Sequence, residues 1–107
     1  MRKIERAMIT AVANGRDWRS GNTSVDITDN GIVVRLHGNK IAQIDRGMMF
    51  VTPAGWTTST TKSRLNALLS QFTDGASIYQ KDFEWFFNAN GETREMFSDS
   101  TLAVNVN

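Results

Sequence analysis

Few residues in this chain are of types that do chemistry, and the densest group lies between Gly55 and Leu69. Trp56 is followed by five hydroxyl residues, Thr57, Thr58, Ser59, Thr60 and Thr61, and then by Lys62 and Arg64. Leu65, Leu68, Leu69 and Phe72 recur at i, i+3, i+4 and i+7, so a helix starts among the hydroxyls. Ser59, Thr60 or Thr61 is expected to be its N-cap. The helix macrodipole favours Asp or Glu in a first turn, each worth roughly 0.3–1 kcal/mol. This first turn has no acid and carries two cations instead. Free N–H groups, hydroxyls and cations at one helix end suit a phosphate or a carboxylate. The chemistry expected is anion binding by Trp56, Thr58, Thr60, Thr61, Lys62 and Arg64, with nucleic acid as the ligand class. The same pattern also fits simple capping residues with solvated cations along the helix. Trp56 also fits a core or hinge position.

Patterns for catalysis are sparse. His37 is the only histidine and falls at a hairpin turn. No serine sits in a Gly-x-Ser-x-Gly elbow, and there is neither a Walker loop nor a Gly-x-Gly-x-x-Gly run. Asp26 and Asp29 are too few and too far apart for a hard-cation loop. Glu92, Glu95 and Asp99 read as a solvated acidic run. The absence of cysteine excludes disulfides, thiolate metal sites and thiol catalysis. The expectation is a binding protein rather than an enzyme, with no cofactor and no metal.

The net charge is +1, but it is unevenly spread. Residues 1–19 hold five basic and two acidic side chains, residues 74–107 two basic and six acidic. One basic and one acidic face are therefore expected. Arg2, Lys3, Arg6, Arg16 and Arg19 extend the nucleic-acid set, with Trp18 as a second stacking candidate or a cap on the core. The weak net charge counts against a dedicated nucleic-acid binder.

These residues need a scaffold, and hydrophobic periodicity supplies it. Ile4, Ala7, Met8, Ala11 and Val12 predict a helix over about residues 2–14, stopped by Asn14-Gly15. A loop through Trp18 and Arg19 leads to Gly21. Alternating apolar residues then predict a meander, with strands around Val25–Ile27, Ile32–Leu36, Ile41–Ile44 and Met48–Val51. Asn30-Gly31 predicts a type I′ turn, His37-Gly38 and Arg46-Gly47 further turns, and Thr52-Pro53-Ala54-Gly55 a type I turn with Pro53 second. After the central helix come strands at Ile78–Tyr79 and Phe83–Phe87, with a bend at Lys81-Asp82 between them. Phe83, Trp85 and Phe87 make the most aromatic stretch of the chain. Phe86 lies on the opposite face, so this strand is either central or covers an interface. Leu102, Val104 and Val106 alternate as a possible last edge strand, which could also be donated to another chain.

The run Gly55-Trp56 through Lys62-Ser63-Arg64-Leu65-Asn66, preceded by Leu36-His37-Gly38-Asn39 and Ile41-Ala42, resembles a group of small tailed-bacteriophage proteins. The resemblance covers roughly residues 1–72. It implies a phage product acting in the cytoplasm of an infected bacterium, and it implies no activity.

The fold expected is α+β, one domain over residues 1–107. It has an antiparallel meander with two helices on one face, in the order α-β-β-β-β-α-β-β and then the possible edge strand. No apolar run reaches membrane-spanning length. The partners expected are nucleic acid, held at the basic helix start, or alternatively a bacterial host protein, held by Phe83, Trp85 and Phe87. Self-association through the aromatic strand is a further possibility.

Overall fold

The computed structural model describes every residue, Met1–Asn107. Its fold is α+β, as expected, with two antiparallel sheets where one was foreseen. Helix α1 (Lys3–Ala13) leads into strands β1 (Trp18–Ser20), β2 (Thr23–Thr28), β3 (Gly31–Leu36), β4 (Asn39–Asp45) and β5 (Met48–Val51). Helix α2 (Ser59–Phe72) follows, and then β6 (Ser77–Lys81), β7 (Glu84–Ala89), β8 (Glu92–Met96) and β9 (Leu102–Asn105). The larger sheet has the order β1-β2-β3-β4-β5-β9, so the chain end closes the meander as its edge strand. The tail is therefore paired within its own chain. The smaller sheet is β6-β7-β8, which makes the aromatic strand a central one.

Both sheets and both helices share one core. Val25, Val34, Ala42, Met49, Val51 and Val104 come from the large sheet. Ile78, Trp85, Phe87 and Met96 come from the small one. Met8, Ala11 and Val12 of α1 and Leu65, Leu68 and Leu69 of α2 fill the space between. Each fully buried leucine of α2 contributes roughly 1.5–3 kcal/mol relative to its exposed state. Trp18 is half-buried against this core, on the same side of the sheet as its partner Val25.

The turns set the register, and several differ from expectation. His37-Gly38 (φ 51 and 80) and Arg46-Gly47 (φ 52 and 78) have positive φ at both central residues, as a type I′ turn requires. At Asp29-Asn30 neither central residue does. Gly31 carries the positive φ instead, 104°, so the expected type I′ turn does not form there. The chain also turns at Pro53-Ala54-Gly55-Trp56, where Trp56 N–H donates to the Pro53 carbonyl at 3.0 Å. Pro53 is thus first in that turn, and Ala54 and Gly55 take positive φ. The bend after β6 is Asp82-Phe83, one residue later than expected, so Phe83 leaves the strand.

Gly31 allows a close approach. A Cβ there would lie 2.1 Å from the Ile44 carbonyl oxygen on the neighbouring strand. Gly31→Ala is expected to destabilise the fold by more than about 1 kcal/mol. Urea denaturation checks this, and an unchanged midpoint would show that the β3–β4 pairing relaxes freely there.

Candidate functional site

The start of α2 is built as the sequence suggests, with the cap one residue earlier. Thr58 is the N-cap, and its hydroxyl accepts from Thr61 N–H at 3.2 Å. The Thr58 and Thr61 hydroxyls lie 3.0 Å apart, and Lys62 N–H opens the helical ladder by donating to the Thr58 carbonyl. The N–H groups of Ser59 and Thr60 precede that first bond and are left without an intrahelical acceptor.

The basic residues do not gather at that helix start. Arg64 is 4% exposed and faces α1. Its Nη1 donates to Glu5 Oε2 at 2.8 Å, its Nε to Thr23 Oγ1 at 3.0 Å and its Nη2 to Asn22 Oδ1 at 3.4 Å. Ser63 Oγ donates to the same Glu5 oxygen at 2.6 Å. Burial pushes the Glu5 carboxyl up. The bonds from Ser63 and Arg64, the Arg2 N–H and the Arg64 charge outweigh that and hold it below its ordinary value. Arg64 is therefore a structural cation and leaves the anion-binding set. Thr61 is buried, with its hydroxyl beside that of Thr58, and it contributes only to the wall of the space in front of α2. Lys62 reaches towards β6, where its Nζ donates to Gln80 Oε1 at 3.3 Å. Arg2, the N-cap of α1, and Lys3 and Arg6 on α1 are exposed, and Arg16 is exposed in the segment before β1. None of these lines the space in front of α2.

That space is an open cavity of about 520 Å³, lined by Leu36, His37, Asn39, Ile41, Pro53, Trp56, Thr58, Thr60 and Thr61. It joins the β3–β4 turn to the segment leading into α2, so the two stretches that carried the phage resemblance meet here. Trp56 is 61% exposed and so is not a core residue. Its ring is free to hold a flat partner. The lining carries no carboxylate and no Lys or Arg.

Cations adjoin it on the other side of His37. A second hollow, of about 330 Å³, is lined by Arg19, Gly21, Asn22, Thr23, Ser24, Arg35, His37 and Gly38. Antiparallel register creates it: Ser24 pairs with Arg19 on β1 and with Arg35 on β3, which places both guanidinium groups on one face. Arg35 donates through Nε to Asp26 at 3.3 Å, and its terminal nitrogens have no protein partner. That pair is half-exposed and worth at most about 1 kcal/mol. Of the expected cations only Arg19 lies here. Arg35, His37 and Asn39 are absent from the expected set; Arg35 comes from β3, His37 from the β3–β4 turn and Asn39 from the start of β4. Trp85 and Phe87 are buried and present no free ring to a partner, whereas Phe83 stands in solvent.

The chain is thus a two-helix, two-sheet α+β domain with a tryptophan-bearing cavity, free of carboxylate, Lys and Arg, at one helix start. It belongs to the Kyanoviridae Gp96 protein family, a bacteriophage family whose model matches residues 1–103. The match extends past residues 1–72, the part that carries the phage resemblance. No curated protein and no solved structure matches the chain. No helix is long and apolar enough to cross a membrane.

Proposed function

We propose that the protein binds single-stranded nucleic acid in the cytoplasm of the infected bacterium, without catalysing a reaction on it. The observation that carries this reading is that His37 lines both hollows, so a stacking surface and two cations form one strip. A base stacks on Trp56 over the apolar floor of Leu36, Ile41 and Pro53. The Asn39 amide and the Thr58 and Thr60 hydroxyls meet its polar edge. The flanking phosphates run past His37 to Arg19 and Arg35. A duplex would keep its bases stacked within the helix and away from Trp56, so a single strand is the form this strip takes.

Two phosphate contacts imply a shallow salt dependence. Log affinity against log salt should fall with a slope of about −1.4, and each of Arg19→Ala and Arg35→Ala should reduce that slope by about 0.7. Fluorescence anisotropy of a labelled single-stranded oligonucleotide over a salt series measures this. A slope unchanged in the double variant would mean that the phosphates lie elsewhere. Absence of binding at low salt to both DNA and RNA strands would overturn the proposal.

A further inference from the structure

Phe83 conforms to none of the rules that explain its neighbours. It takes φ 67 at the second central position of the β6–β7 turn, where glycine is usual and a bulky residue is strained. Its side chain is 95% exposed, so burial does not account for it either. Phe97, 61% exposed, lines the same shallow cavity of about 230 Å³. Trp85 and Met96 form its floor, and Thr57, Glu84 and Glu95 complete it with Ser98. The charged groups in this lining are both carboxylates. Within two residues of Phe83 and Phe97 in the chain also stand Asp82, Asp99 and one cation, Lys81, so carboxylates predominate around the rings.

Two exposed aromatic rings over an apolar floor have the make-up of an anchor point in a protein interface. The surrounding carboxylates select the partner's charge: they repel a phosphate backbone and attract Lys or Arg. We infer that Phe83 and Phe97 form a docking surface for a segment of another protein, one carrying a Lys or Arg beside an apolar side chain. The apolar side chain packs between the two rings on Trp85 and Met96, and the cation pairs with Glu84 or Glu95. This surface is separate from the nucleic-acid strip, though Thr57 adjoins Trp56 and brings the two edge to edge.

The test is selection from a random-peptide display library on the intact protein, with Phe83→Gly as the counter-bait. Glycine accepts this backbone conformation without strain, so the variant keeps or raises the melting temperature and loses only the ring. The expected result is enrichment of peptides with Lys or Arg next to an apolar residue. A selected peptide should bind wild type about tenfold or more tightly than Phe83→Gly or Glu84→Lys/Glu95→Lys. Its amide chemical-shift changes should cluster at Phe83, Glu84, Glu95 and Phe97. Enrichment of acidic or uncharged peptides, equal capture by Phe83→Gly, or shift changes elsewhere would overturn the inference. So would self-association that Phe83→Gly abolishes, because the occupant would then be a second copy. Perturbation of these residues by an oligonucleotide would overturn it as well.

Discussion

Arg64→Ala is expected to cost about 3–5 kcal/mol of folding stability, because it strands a buried carboxylate. Glu5 is 2% exposed, and the Arg64 guanidinium is its only ion-pair partner. Thr23 and Asn22 would also lose the donors that now bind them. Single domains have about 5–15 kcal/mol of stability in total, so this loss is a large fraction of it. The melting temperature should fall by roughly 15–25 °C. Arg64→Lys should not restore it, because an ammonium lacks the planar fork that reaches Glu5, Thr23 and Asn22 together. The double change Glu5→Met with Arg64→Met should lose less than the single Arg64→Ala, since it removes both charges. The pH dependence follows from the same pair. The Glu5 carboxyl titrates below its ordinary value in the folded state, so its contribution is complete above the unfolded carboxylate range. It is lost as the pH falls through the folded pKa. The stability gap between wild type and Glu5→Gln should therefore be widest near neutrality and shrink in acid. Calorimetry of the two proteins over a pH series measures it, and a gap that widens in acid would contradict the ion-pair account.

That ion pair also marks how far local pattern carries. Both helices, the four meander strands and the edge strand are legible because each has a hydrophobic period and a turn signal at its ends. Arg64 is different, since its fate depends on Glu5, 59 residues away. On its own helix it reads as one of two basic residues in a first turn, and only the packing of α1 against α2 turns it inward. Strands β1 and β8 are not legible in the sequence, because Trp-Arg-Ser and Glu-Thr-Arg-Glu-Met are short or polar edge strands with most side chains in water. Their backbone pairing, not their apolar content, defines them. Phe83 misled for the opposite reason. It continues the alternation of Trp85 and Phe87 in sequence, but the hairpin closes through it. The candidate site was half legible. The helix start, with Trp56 and its hydroxyls, was visible, but the cations that adjoin it come from β1 and β3. Strand register brings those to one face, and no local signal announces that.

Trp56→Ala is expected to weaken binding of a single-stranded oligonucleotide by roughly one to two orders of magnitude. Stacking of one base on an aromatic ring is worth about 1–3 kcal/mol, and about 1.4 kcal/mol is a factor of ten in affinity. The ring is largely exposed and outside the core, so its removal should change folding stability by no more than about 0.5 kcal/mol. Affinity and stability are thereby separated, which distinguishes a lost contact from a loosened fold. Trp56→Tyr keeps a stacking surface and should retain most of the affinity. The effect should also be nearly independent of salt, because stacking releases no counterions. It should add to that of Arg19→Ala and Arg35→Ala, which act through phosphates. Intrinsic fluorescence offers an independent reading. Trp85 is buried and Trp18 half-buried, so quenching by a stacked base should arise from Trp56 and vanish in the alanine variant. If Trp56→Ala left both affinity and quenching unchanged, the base would not sit in this cavity. The strip from Trp56 through His37 to Arg19 and Arg35 would then have to be abandoned as one site. A loss of affinity matched by an equal loss on Trp56→Tyr would instead locate the ring's role in a specific indole contact, and stacking alone would not describe the site.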